Sequence, residues 1–246
     1  MKNLLKRLFR KRQFQGNFKT WSDAKNASKG YETDDILKRA IHCRDLVLSG
    51  KAKYEQDLRV YHTDPFKPES LSALLWIYKE ESKLNVLDFG GSFGTSFYIH
   101  NRFLENLYMK WNVVEQEKYV KYAKEHYETG QLKFHYSINE CKDINVVYLS
   151  GVLAYLEYPY DVVNQLVELK PKYIILDRNH TLDNPDEKTR LTIQVTNKMT
   201  IPTSYPCWLF NEKDIINAFN GYEIIANWKE KTNENMNYQG MLLRLK

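Results

Sequence analysis

Residues 85–97 read NVLDFGGSFGTSF. The apolar residues at its start predict a buried strand, the glycines predict a tight turn, and the residues after Gly94 predict a helix. Glycines at such a turn let the backbone approach a ligand closely, and the first N–H groups of the helix are free to donate to it. The stretch therefore predicts a pocket of the kind that binds nucleotides.

The spacing of the acid and the glycines narrows the choice of ligand. Asp88, Gly90, Gly91 and Gly94 depart from the G-x-G-x-x-G pattern of dinucleotide sites, because two glycines are adjacent and an acid precedes them. A carboxylate here would repel a pyrophosphate and suit the ammonium of an amino acid. Glu115 ends the next predicted strand about 20 residues later, where doubly wound folds place an acid that binds ribose hydroxyls. Both features favour S-adenosylmethionine.

Short apolar segments alternate with helical ones after residue 85, which is typical of a parallel sheet covered on both faces. We predict an α/β, doubly wound (Rossmann-like), seven-stranded, mostly parallel sheet with an antiparallel C-terminal strand and an N-terminal helical extension. The predicted strands are 85–89, 110–114, 133–135, 146–150, 173–176, 222–228 and 240–245. The predicted helices are 34–48, 69–79, 96–107, 117–127, 160–169 and 214–219. Residues 191–195 alternate in polarity and predict an extra strand or a lid.

The chain divides at the first strand of this pattern. Residues 1–84 are predicted to form a basic tail and a helical cap, and residues 85–246 the catalytic core, together as one compact unit. Three cysteines without a Cys-x-x-Cys pair predict free thiols, and no metal site is predicted.

The net charge of +5 is concentrated in the first twelve residues, which hold six basic residues and no acid. The rest of the chain is nearly neutral, so we expect no nucleic-acid partner. Apolar residues at helical spacing could lay this tail on an anionic membrane as a weak peripheral contact, although a frayed terminus is the simpler interpretation. The sequence contains neither a signal peptide nor a segment of ~20 apolar residues, and we predict a cytoplasmic protein.

Several blocks of the sequence resemble the class I S-adenosylmethionine-dependent methyltransferases. More closely, the chain is similar to a bacterial group of methyltransferases encoded among genes for surface polysaccharide synthesis. The blocks are FQGNFKTW at 14–21, SKGY at 28–31, DFGGSFG at 88–94, VVEQ at 113–116, LSGVLAYL at 149–156, ILDR at 175–178 and SYPCW at 204–208. The resemblance implies S-adenosylmethionine as cofactor and a saccharide or sugar-linked acceptor, either a small molecule or a glycoconjugate.

Further cofactor contacts are expected where strands end. The resemblance places Ser137 and Ile138 beside the adenine, and Tyr31 in a segment that folds over the cofactor. Ser150 is the last residue of the fourth predicted strand, and ligands in doubly wound folds meet at such strand ends. The sequence from Ser150 to Tyr155 replaces the Asn/Asp-Pro-Pro-Tyr/Phe element of enzymes that methylate amide or base nitrogens, so oxygen is the expected acceptor atom.

Acceptor chemistry is expected after residue 176, in a predicted loop. Asp177 or His180 could remove a hydroxyl proton, and Arg178 could bind a phosphate or carboxylate with its planar guanidinium. Asp177 and Asn179 also resemble metal ligands of catechol-type methyltransferases, but Ser150 stands where those enzymes add a carboxylate.

Two other functions stay open at this point. One is an NAD-dependent sugar-nucleotide oxidoreductase or epimerase, which would need the glycine turn to hold a pyrophosphate. The other is a non-catalytic S-adenosylmethionine-fold scaffold, held at a membrane by the basic tail.

Overall fold

A computed structural model describes residues 13–30, 34–196, 202–232 and 234–246. The tail at 1–12 and Tyr31 lie outside this range. The helices of the described part are α1 (Trp21–Asn26), α2 (Asp34–Leu48), α3 (Pro68–Glu81), α4 (Thr95–Leu104), α5 (Glu117–His126), α6 (Pro159–Glu168) and α7 (Glu212–Ala218). The strands are β1 (Phe14–Phe18), β2 (Tyr54–Gln56), β3 (Arg59–Tyr61), β4 (Leu84–Phe89), β5 (Met109–Val114), β6 (Leu132–His135), β7 (Val146–Ser150), β8 (Tyr173–Leu182), β9 (Arg190–Val195), β10 (Ser204–Leu209), β11 (Tyr222–Lys231) and β12 (Met236–Leu245).

Seven strands form the central sheet in the order β11-β12-β8-β7-β4-β5-β6. Strand β12 is antiparallel to both of its neighbours, and the other pairs are parallel. The predicted fold class is confirmed. Strand order reverses between β4 and β7, so the glycine turn after β4 lies at the topological switch point, where ligands of such sheets bind.

Helices cover both faces because successive side chains of each strand point to opposite sides. On one face, Val86 packs with residues of α3, α4 and α5, while Leu87 contributes to the cluster that contains α6 and α7. Each side chain buried as completely as these stabilises the fold by about 1.5–3 kcal/mol. The predicted helical cap packs on the first face, since Leu74 and Ile77 of α3 belong to that cluster.

A second, smaller sheet has the order β1-β9-β10, with both pairs antiparallel. Strand β9 agrees with the predicted extra strand at 191–195, whereas β1 and β10 were not predicted. Its core contains Ala24 and Leu191, and the rings of Trp21 and Trp208 stack 6.3 Å apart. The Tyr155 hydroxyl donates to Gln194 at 2.7 Å, which joins this sheet to the segment after β7.

Strands β2 and β3 form a hairpin that was also not predicted. Its two turn residues, Asp57 and Leu58, have φ of 52° and 62°, as the tight turns of two-residue hairpins require. The base of the hairpin is fixed by Glu55, which pairs with Arg44 and accepts a hydrogen bond from Thr95 at the start of α4.

Two further properties of the described part concern its cysteines and its potential for membrane or metal binding. Its three cysteines are free, as predicted, and all three are buried. Within the same residues no helix has the length and apolar character of a membrane span, and no three metal-ligating side chains form a group.

Candidate functional site

The glycine turn after β4 is closely packed. Gly90 and Gly94 have φ of 73° and 78°, a region that residues with a Cβ adopt rarely. A Cβ on Gly90 would also overlap the side chain of Val152, which follows β7. The turn thus brings the end of β4 against the end of β7 at the switch point.

The side chain of Asp88 packs against this turn at Gly91. A Cβ on Gly91 would lie 2.6 Å from the Asp88 carboxyl carbon, and the Asp88 carboxyl accepts a hydrogen bond from Trp111 Nε1 at 3.0 Å. Burial raises the pKa of Asp88 to about 7, and the nearby charge of Glu115 adds to the rise. The carboxyl group is therefore buried between Gly91 and Trp111, and its contact with the cofactor stays a prediction.

Glu115 lies beside the glycine turn. Its Oε2 accepts the N–H of Ser92 at 3.0 Å, and its Oε1 accepts the N–H of Gln116 at 2.9 Å. Burial raises the pKa of Glu115, and the two N–H donors oppose this rise. A carboxylate has about four acceptor positions, so Glu115 can accept further hydrogen bonds from a ligand.

Ser137 and Ile138 follow β6 at the same edge of the sheet as Glu115. Ser137 precedes a short 3-10 helix, Ile138–Glu140, and its hydroxyl donates to Glu140 at 3.4 Å. Ile138 is buried. Both residues thus stand at the carboxyl end of a strand, where the sequence predicts the adenine contact.

Asp177 lies next to Ser150 in the sheet register of β7 and β8. Its Oδ2 accepts hydrogen bonds from the hydroxyls of Tyr148 and Ser150 at 3.4 and 3.5 Å, and its Oδ1 accepts from Trp228 Nε1 at 3.3 Å. The carboxylate is half-buried. Three donors, two from β7 and one from β11, orient it at the carboxyl end of β7.

The predicted loop after residue 176 is wrong, because β8 continues to Leu182. Its extension pairs with β12, where Asn179 faces Gln239 and Leu182 faces Met236. The register shifts between the Asn179–Gln239 pair and the next pair, Leu176–Met241, so that Asp177 and Arg178 oppose Gly240 in a bulge. The Trp228 ring covers Gly240 so closely that a Cβ there would overlap it.

The bulge directs Arg178 toward the β2–β3 hairpin. Arg178 has φ of 53°, and its Nη2 lies 2.6 Å from Asp57 Oδ2 at the hairpin tip. Its guanidinium lies 5.8 Å from the centre of the Tyr238 ring. Asp57 keeps the pKa of Arg178 above its usual value although burial opposes this.

His180 is only 2% exposed. It lies among the rings of Phe14, Tyr155 and Tyr238, and its Nδ1 is 3.3 Å from Cys207 Sγ. Burial, and then the charge of Arg178, lower the pKa of His180 to about 3. The ring is therefore neutral near pH 7 and a weak base, shielded from solvent.

A cavity of about 90 Å³ opens beside the bulge in β8. Ser70, Asp177, Arg178, Trp228 and Tyr238 contribute to its wall. Sequence reasoning missed Trp228, Tyr238 and the adjoining Asp57. Trp228 was predicted to lie in a strand, but nothing local in the sequence indicates that the strand crosses Gly240 beside Asp177.

No protein-family model matches the chain, and no curated protein matches it. Among solved structures, the N-terminal domain of EvdMO1, determined in the presence of S-adenosylhomocysteine and D-fucose, is 12% identical. The match covers 89% of this chain and all of that domain, with a TM-score of 0.52.

Two methyltransferases are also similar. The 1,6-didemethyltoxoflavin-N1-methyltransferase of Burkholderia thailandensis has 14% identity and a TM-score of 0.48, covering 88% of this chain and 92% of its own. Magnesium protoporphyrin IX methyltransferase of Synechocystis has 13% identity and a TM-score of 0.48, covering 89% of this chain and 100% of its own. The seven-stranded sheet of this chain thus belongs to the fold that the N-terminal domain of EvdMO1 also has.

Proposed function

We propose that the chain is a methyltransferase that uses S-adenosylmethionine. The observation that carries this proposal is the hydrogen bond from the Ser92 N–H to Glu115, since it joins the glycine turn and the strand-end acid in one site. Glu115 would accept from the ribose hydroxyls, and the backbone at Gly90–Gly94 would pass close to the methionine portion. Ser137 and Ile138 would contact the adenine, and Ser150 the methionine end.

The cofactor supplies an electrophilic methyl group on a sulfonium. The protein's part is to align an acceptor with it, to exclude water, and to remove a proton from an attacking hydroxyl. We assign the removal of this proton to Asp177, because its carboxylate is oriented by three donors and forms part of the cavity wall. His180 is a poorer base than Asp177, because it is buried and its pKa is lowered to about 3.

We propose that the acceptor is an oxygen of a saccharide, or of a sugar-linked precursor of a bacterial surface polysaccharide such as capsule or lipopolysaccharide. The reaction would take place in the cytoplasm. Support for the saccharide comes from the sequence resemblance. The EvdMO1 domain, which shares the fold, was determined in the presence of D-fucose. Tyr238 and Trp228 would offer aromatic faces to a sugar ring at the cavity wall.

Calorimetry with S-adenosylmethionine, S-adenosylhomocysteine and NAD tests the cofactor. We expect the first two to bind and NAD not to bind. Glu115→Gln should weaken the affinity for S-adenosylmethionine about 10- to 100-fold, because a charged acceptor of ribose hydrogen bonds is lost. The matched control is Glu117→Gln, an exposed glutamate at the start of α5, which should change the affinity less than twofold. Binding of NAD alone would overturn the proposal and favour the oxidoreductase.

Release of S-adenosylhomocysteine with a panel of sugars tests the role of Asp177. Asp177→Asn should lower kcat about 10²- to 10⁴-fold, the usual contribution of a general base, while affinity for S-adenosylmethionine stays within about threefold. Asp186→Asn, which removes an exposed carboxylate, serves as the control. Full activity of Asp177→Asn would exclude Asp177 as the base.

A further inference from the structure

Arg178 combines a strained backbone with a charged side chain at the cavity wall. Its φ of 53° lies in a region that non-glycine residues occupy rarely, at a cost of about 1 kcal/mol or more. Bulges often redirect a side chain beside a functional site. Here the bulge opposite Gly240 turns the guanidinium toward the cavity and away from the sheet.

The partner of this guanidinium comes from a distant and exposed segment. Asp57 at the hairpin tip is 65% exposed in its side chain, whereas that of Arg178 is 22% exposed. The neighbouring amide of Gln56 faces the same guanidinium. The closer acid in sequence, Asp177, takes its hydrogen bonds from Tyr148, Ser150 and Trp228. A mostly exposed carboxylate thus occupies a guanidinium N–H of Arg178, a group whose planar fork of donors can bind anions bidentately.

The hairpin is fixed by a buried ion pair at Glu55, whereas the side chain of Asp57 at its tip is mostly exposed. Glu55 and Arg44 form an ion pair at 2.6 Å with side-chain exposures of 7% and 1%, and Glu55 also accepts from Thr95. Two residues further on, Asp57 faces solvent. The cavity of about 90 Å³ is small compared with typical ligand pockets of about 300–1,000 Å³. An acceptor anion that reaches Arg178 must therefore displace the Asp57 carboxylate from Nη2.

We propose that Arg178 binds an anionic group of the acceptor, a carboxylate or a phosphate, and that Asp57 occupies this position until the acceptor displaces it. The identification of the ligand as an acceptor rests on the proposed function. The anion site itself rests on Arg178, Asp57 and the cavity. The saccharide acceptor is thus a charged one, such as a uronic acid or a sugar phosphate.

Calorimetry with glucose 6-phosphate, D-glucuronate, D-glucose and inorganic phosphate tests this site without any methyl transfer. We expect one of the two charged sugars to bind and glucose to bind at least tenfold more weakly. A preference for glucose 6-phosphate and inorganic phosphate would identify a phosphate, and a preference for D-glucuronate a carboxylate. Equal affinity for glucose and both charged sugars would overturn the proposal.

Variants distinguish a role of Asp57 in occupying the anion site from a purely structural role. Asp57→Asn should tighten binding of the charged probe about two- to fivefold, the equivalent of an exposed ion pair, because the competing carboxylate is gone. Arg178→Gln should weaken it at least about tenfold, and Arg178→Lys should give an intermediate affinity, because it retains charge without the planar fork. Asp64→Asn removes an exposed carboxylate just after the same hairpin and should match the wild type.

Two results would refute the proposal. One is unchanged or weaker anion binding in Asp57→Asn, and the other is unchanged binding in both Arg178 variants. Thermal unfolding of each variant identifies any that fail to fold, and Arg178→Lys answers the question if Arg178→Gln does not fold. A parallel titration with S-adenosylmethionine keeps the two proposals apart. If S-adenosylmethionine does not bind while the charged probes bind as expected, only the proposed methyltransferase function is rejected.

Discussion

The buried carboxyl of Asp88 makes the stability of the folded protein depend on pH in an unusual direction. Asp88 is 1% exposed and has one hydrogen bond, from Trp111, so ionisation in the folded state is unfavourable. Its pKa is raised from 3.8 to about 7. Above pH 3.8 the unfolded chain releases this proton while the folded protein retains it, so the contribution of Asp88 to stability falls as pH rises.

Each pH unit between these two pKa values lowers the free energy of unfolding by about 1.4 kcal/mol, and the decline levels off above about pH 7. From pH 5 to pH 8 the loss is therefore about 2–3 kcal/mol. Asp88→Asn removes the titration and keeps an acceptor for Trp111. We expect its free energy of unfolding, relative to wild type, to rise by that amount over the same range, on top of a constant offset.

Urea denaturation followed by circular dichroism at pH 5, 6, 7 and 8 measures this difference. Asp186→Asn, which removes an exposed carboxyl, should parallel the wild type at every pH. A difference between Asp88→Asn and wild type that stays constant from pH 5 to pH 8 would refute the reasoning, because it would mean that Asp88 ionises as readily in the folded protein as in the unfolded chain.

Three further substitutions follow from buried contacts. Glu55→Gln should lower the free energy of unfolding by about 3–5 kcal/mol in urea, because Arg44 stays buried without its counter-charge; a loss below 1 kcal/mol would contradict this. Gly240→Val should lower it by about 1–3 kcal/mol and alter tryptophan fluorescence, since the new side chain displaces Trp228; unchanged fluorescence would contradict this. The pKa of His180 is lowered from 6.5 to about 3, so the folded protein loses stability as pH falls below 6.5. His180→Leu should therefore remove about 2 kcal/mol of the loss between pH 7 and pH 5 in thermal unfolding, and identical pH slopes would argue against it.

The parts that the sequence predicts correctly are encoded locally. Strand β4 and the turn after it lie within thirteen residues of sequence, and their apolar run and glycines act through short-range sterics. The sequence also predicted Glu115 beside the turn, because strand and helix lengths in this fold vary little. The direction of the Asp88 side chain was not predictable in this way, because it depends on Trp111 of the adjacent strand.

The acceptor end was mispredicted because its structure depends on distant partners. Residues 177–182 read DRNHTL and resemble a loop, yet their backbone groups pair with β12 and with Phe210. A buried strand can continue through polar residues when such partners satisfy its backbone N–H and C=O groups. The small sheet likewise joins β1 to β9, more than 170 residues apart in sequence, so no local pattern indicates its presence.

The β2–β3 hairpin connects the two ends of the site through a short segment. Glu55 contacts Thr95 beside the glycine turn, and Asp57 contacts Arg178 at the cavity. Loss of one partner of a buried pair costs about 3–5 kcal/mol, while an exposed pair contributes about 0.2–1 kcal/mol. The Asp57 side chain can therefore leave Arg178 while Glu55 stays in place. An acceptor anion that competes for Arg178 acts on the weaker of the two contacts, so it can bind the guanidinium without disturbing the glycine turn.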